Sequence, residues 1–95
     1  MEPLLRGIVE KAIDNTLEPE TLVGYLRGMR ALKPHISNEE DAAFGIVFGY
    51  IFGASYFSIF IACKRVPTSE ELGEVVDILA RRASEIKSAI SKVLT

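Results

Sequence analysis

"AAFGIVFGYIFGASYFSIFIAC", Ala42 to Cys63, is a run of 22 residues without a charge, with glycines at 45, 49 and 53. It is long enough to cross a bilayer, which takes ~20 apolar residues. Gly45-x-x-x-Gly49-x-x-x-Gly53 is also the small-residue spacing that lets membrane helices touch. Yet only ten of the 22 residues are large aliphatics or phenylalanine, so insertion sits near balance on a per-residue transfer scale. Arg27, Arg30 and Lys33 precede the run and Lys64 and Arg65 follow it, so positive charge assigns no inner side. The rest of the chain carries apolar stripes that need cover, and a soluble bundle supplies it. The expectation is a helical spine kept dry by protein; a small membrane protein with one span over 42–63 is the alternative.

Working outward, the chain of 95 residues has room for one domain, 1–95, with a core of marginal size. A net charge of -2 lacks the excess of one sign expected of a dedicated nucleic-acid binder, and 48% hydrophobic residues argue against disorder. The single cysteine, Cys63, excludes an internal disulfide framework and a multi-cysteine metal site. The opening MEPLLRGIVEKAID lacks the layout of a signal peptide, which points to a cytoplasmic location. The absence of glutamine and the scarcity of asparagine, methionine and cysteine resemble a thermophile composition.

Apolar residues recur at three and four, with no strand alternation and no hairpin turn signal. A first helix opens at Pro3 and ends near Asn15, with Leu5, Ile8, Val9, Ala12 and Ile13 on one face. A second opens at Pro19 and stops before Pro34, with Leu22, Tyr25, Leu26 and Met29 as its stripe. Gly24, Gly28 and Ala31 lie opposite. A third runs from about Asn38 to Arg65, opened by a Ser37–Glu40 capping box, with acids on its first turn and Lys64-Arg65 on its last. A fourth is opened by a Thr68–Glu71 capping box, and Leu72, Val76, Leu79, Ala83, Ile86, Ile90 and Val93 form a seven-residue repeat along it. The fold class expected is all-α: a helical bundle of two short and two long helices, with a long antiparallel hairpin of about 38–65 and 69–94.

A third helix of ~42 Å outreaches a compact sphere of this chain length, ~32 Å across. One chain cannot cover an all-round apolar rod of that length, and open apolar strips mark association sites. The expected partner is a second copy, most simply in a two-fold dimer, with Gly45, Gly49, Gly53, Phe48, Phe52 and Tyr56 at the contact. The competing reading seats the glycines against the chain's own second or fourth helix. The ladder Phe44, Phe48, Phe52, Tyr56, Phe60 reads as core rather than as a ligand box.

Glu70-Glu71-Leu72-Gly73-Glu74-Val75-Val76-Asp77 places acids at spacings of three. It resembles the E-x-x-E or E-x-x-D element of all-helical nucleotide pyrophosphatases of the MazG type, which bind magnesium through two such elements. The resemblance covers eight residues, and the second element is missing. It implies Glu71, Glu74 and Asp77 as metal ligands in a hydrolase whose site is shared between chains, an alternative to the first reading. The first reading itself takes the acids as a solvated helix start, with Asp77–Arg81 and Arg81–Glu85 pairs, and assigns no metal and no cofactor. His35 is the only histidine and sits in a loop. Arg27, Arg30, Lys33 and His35 read as a complement to a helix C-terminus, and Arg81-Arg82 as a solvated pair. No nucleophile elbow, phosphate loop or dinucleotide fingerprint occurs. The functional expectation is a non-enzymatic, self-associating interaction or scaffold module.

Overall fold

Two prolines and two polar side chains start four of the helices. The computed structural model, which describes residues 2–95, places α1 at Pro3–Thr16, α2 at Pro19–Arg27, α3 at Glu39–Cys63, α4 at Ser69–Arg81 and α5 at Ala83–Leu94. A 3-10 segment, Gly28–His35, lies between α2 and α3. Among the described residues there is no strand. Pro3 and Pro19 occupy the first turns of α1 and α2, where a missing N–H leaves no bond unmade. The Thr68–Glu71 capping box forms as expected: the Glu71 amide donates to Thr68 Oγ1 at 3.1 Å and the Thr68 amide to Glu71 Oε1 at 2.9 Å. The start of α3 differs from expectation. Asn38, not Ser37, is the cap, its Oδ1 accepting from the Asp41 amide at 2.9 Å. Asparagine and serine are equally good caps, so the sequence left the choice to one residue either way.

The second helix is shorter than its pattern. It tightens into the 3-10 segment at Gly28, where glycine's weak helix propensity lets the chain leave the α geometry. Leu22, Leu26 and Met29 are buried and Tyr25 is half-buried, as the stripe required. Gly24 and Gly28 face open space, so neither seats a neighbouring backbone. At its far end α3 stops at Cys63, short of Arg65. Lys64 takes a left-handed conformation, φ 54° and ψ 35°, and turns the chain out of the helix.

The expected long hairpin is a corrected point. Its second arm is two helices, broken at Arg82 (φ -101°, ψ 10°), and the fold therefore has five helices rather than two short and two long. The break changes which residues are buried. Val75, Ile78 and Leu79 face the core from α4 and Ile86 and Ile90 from α5, whereas Val76, a member of the expected seam, is 40% exposed. A straight rod would pass along one side of its neighbours. Breaking it lets α4 lie against α1 and α3 while α5 lies against α2 and α3. The Arg82 side chain secures the bend: its guanidinium reaches Asp14 at 2.7 Å and Glu10 at 3.3 Å on α1, and Glu85 at 2.7 Å on α5. Those carboxylates raise the arginine's pKa, Glu85 contributing most, and Glu85 is in turn held below the usual carboxylate range by Arg82. Among the described residues neither the expected Asp77–Arg81 pair nor the Arg81–Glu85 pair forms; Glu85 pairs with Arg82 instead.

The core gathers Leu5, Val9 and Ile13 of α1, Leu22 and Leu26 of α2, Met29, the α3 stripe and the buried residues of α4 and α5. The molecule measures 39 × 22 × 20 Å. Its long dimension matches α3, which at 25 residues rises ~37 Å. The other helices lie along the spine instead of closing into a sphere around it. One polar atom is trapped in this core. Ser55 is fully buried in the middle of the α3 stripe, and its Oγ has no hydrogen-bond partner. An unsatisfied buried hydroxyl costs about 1–3 kcal/mol, and alanine is the better helix former. Ser55→Ala is therefore expected to stabilise the fold by about 1 kcal/mol or more, read as a higher midpoint in urea unfolding with an unchanged slope.

Candidate self-association face

The buried residues of α3 are Ala43, Val47, Ile51, Ser55 and Ile59. They are four apart, so they form one narrow stripe that drifts slowly around the helix. Everything α3 gives to its own core comes from this stripe and its flanks. The helix has a mean hydropathy of 1.9 over its most apolar window, yet only 22% of that window is buried. By length and composition it is long and apolar enough to cross a membrane.

The opposite side is centred on the glycines. At Gly45, Gly49 and Gly53 an added Cβ meets nothing within 4 Å. The reading that seats these glycines against another helix of the same chain is thereby set aside: no backbone of the chain approaches them. Around them stand Tyr50 (50% exposed), Phe57 (62%), Phe60 (43%) and Ile61 (59%), and Val66 (57%) follows just past the helix end. These values decide the character of the face, because large apolar side chains at this exposure on a single helix form a continuous strip rather than scattered surface residues.

Of the contact residues expected from the sequence, Gly45, Gly49 and Gly53 lie at the centre and Tyr56 is half-buried on the flank. Phe48 and Phe52 are half-buried and pack against the chain's own core together with Phe44. They stack along the helix, with centroids 6.3 Å apart for Phe48–Phe52 and 6.2 Å for Phe44–Phe48. The aromatic ladder is therefore core at its first three members and open at Phe60. Tyr50, Phe57 and Ile61 are the face residues that the sequence reading missed. A signal was present for Phe57, which continues the Gly45–Gly49–Gly53 row by one more step of four. Tyr50 is fixed by a tertiary contact: its ring stacks on Tyr25 of α2, 3.9 Å between centroids and 9° from parallel. That stack stiffens one edge of the face.

The acidic run on α4 is committed elsewhere. Both Glu71 carboxylate oxygens bind Arg65, at 2.8 and 2.9 Å, and one also accepts the Thr68 amide. The Arg65 bond, with the Thr68 amide, lowers the Glu71 pKa to about 2. Glu74 and Asp77 border a shallow hollow with Arg6 and Arg81. Among the described residues no group of three or more His, Cys, Asp or Glu side chains is placed to hold a metal ion. Because the folded Glu71 pKa lies below its ordinary value of 4.5, its contribution is fully present above that value and is lost as pH falls toward 2. Glu71→Gln is expected to melt lower than the parent at pH 7, with the two melting temperatures converging between pH 4.5 and pH 2.

The basic residues Arg27, Arg30 and Lys33 stand together around an open groove of about 550 Å³, with Leu26, Met29, Val93 and Leu94 on its floor and Glu39 at its edge. His35, exposed at the end of the 3-10 segment, is not part of it. Cys63, the last residue of α3, is half-buried against the core. Comparison with protein-family models, with curated proteins and with solved structures finds no match.

Proposed function

We propose that this protein is a soluble, non-enzymatic, self-associating helical module, and that the outer face of α3 is where copies meet. The observation that carries this reading is the open glycine row at 45, 49 and 53, set within the exposed apolar strip of Tyr50, Phe57, Phe60 and Ile61. Leaving such a strip in water forfeits roughly 25 cal/mol for every Å² of apolar surface that a partner would cover.

A lipid cover for the same face is the competing use, and the packing around α3 weighs against a span. α1, α4 and α5 lie against α3, and they carry exposed Arg6, Lys11, Asp14, Asp77, Arg81 and Glu85. Inserting α3 would carry these charges to bilayer depth or strip the core from Val47 and Ile51, and charged side chains at that depth cost several kcal/mol each. Covering the strip with a second copy requires neither.

Sedimentation equilibrium of the full chain in detergent-free buffer tests the reading. A discrete dimer or higher oligomer at micromolar concentration is the expected result. A monomer across that range, or protein recovered only with added vesicles, overturns it.

A further inference from the structure

We infer that the two copies pair with their α3 helices antiparallel, about a two-fold axis that crosses the open side of α3 at the height of residue 51; this rests on the self-association reading above. Two independent features of the face point the same way.

The first is the distribution of side-chain size along the strip. Gly45 and Gly49 occupy the half toward the N-terminus of α3, where Tyr50 is held by its stack on Tyr25, and Phe57, Phe60 and Ile61 occupy the half toward its C-terminus. Gly45, Gly49, Gly53 and Phe57 follow one another at steps of four, opposite the buried row, and all four are exposed. The helix spans 39–63, so an antiparallel pair centred on residue 51 sets each position n opposite 102 − n. Phe57 of one protomer then covers the notch at Gly45 of its partner, and Gly49 runs beside Gly53. A large side chain meets a small one on either side of the axis, which is how facing layers fill space at core density. A parallel pair would set Phe60 on Phe60 and leave the glycine half hollow.

The second feature is charge at the ends of the strip. Glu39, at the start of α3, and Lys64, just past its end, are both exposed, and neither makes an ion pair within its own chain among the described residues. Antiparallel pairing brings Glu39 of each protomer to Lys64 of its partner, twice per dimer; parallel pairing brings like charges together. Complementary ends fix orientation and register more than they add affinity.

Disulfide trapping in a Cys63→Ser background tests the orientation. One variant carries Gly45→Cys and a second carries Phe57→Cys. The antiparallel pair is expected to give a covalent dimer only after the two are mixed and allowed to exchange, because like positions lie ~18 Å apart along the axis. Covalent dimers in either protein alone overturn the orientation. So does the absence of a cross-link in the mixture when sedimentation still finds a dimer. In the second measurement, Glu39→Lys is expected to raise the dimer dissociation constant about tenfold, and the double swap Glu39→Lys/Lys64→Glu is expected to restore it. An unchanged constant in the single variant also overturns the orientation. If the parent chain sediments as a monomer, the association reading itself fails, and that outcome is separate from the others.

Discussion

Gly49→Leu is expected to leave the chain helical and folded while converting the proposed dimer to monomer. The two halves of this result come from two different environments of the same residue. Within one chain nothing approaches a Cβ at position 49, so a leucine there meets no obstruction. It also removes a glycine from a helix interior, a gain of about 1 kcal/mol in propensity. The separated chain should therefore unfold at a higher urea concentration than the parent chain does when it is separated. Between chains the outcome reverses. Two helices that approach over glycine cannot keep that distance with a leucine wedged between them, and overpacking costs about 1–3 kcal/mol per site. A two-fold contact meets the substitution twice, which raises the dissociation constant by roughly 30-fold or more. Analytical ultracentrifugation with circular dichroism on the same samples reads both halves. An oligomer of unchanged size would place the contact elsewhere on the molecule.

Ile51→Ala is expected to have the largest effect on the fold itself. Ile51 is completely buried at the centre of the α3 stripe, on the side facing away from the glycines. Truncation there removes three carbons and leaves a cavity in the core. Such changes cost about 2–5 kcal/mol, against a total stability of roughly 5–15 kcal/mol for a domain. A fall in melting temperature of order 10–30 °C follows for a chain of this length. A melting temperature within a few degrees of the parent would contradict the assignment of this stripe to the core. Set side by side, Ile51→Ala and Gly49→Leu separate the two faces of one helix: the first is expected to weaken the fold, the second the proposed assembly.

The all-helical class, the proline and threonine starts and the apolar stripes of α1 and α2 were legible because each is written locally. A stripe such as Leu5-Val9-Ile13 needs only the 3.6-residue period, and a Thr68–Glu71 box needs only residues three apart. The face of α3 was half legible. Its glycine row is a spacing, readable at sight, but an all-round apolar helix has no period to say which side its own chain covers. Phe48 and Phe52 were therefore grouped with the glycines, although the fold turns them toward the core, and Phe57 was left out although it crowns the row.

What the sequence determined by itself is the all-helical class, the starts at Pro3, Pro19 and Thr68 and the presence of one long helix that is apolar all round. Short-range physics decides these, through residue spacing, hydrogen bonds within a turn and the count of charges. What only the tertiary structure decided is where the second arm breaks and which side of α3 stays open. The seven-residue repeat ran unbroken through Arg82, and only the carboxylates of Glu10 and Asp14, some 70 residues earlier in the chain, give that arginine a reason to sit at a bend. That bend sends α5 onto α2 and α3, and the packing of the five helices onto one stripe of the spine leaves its glycine side uncovered.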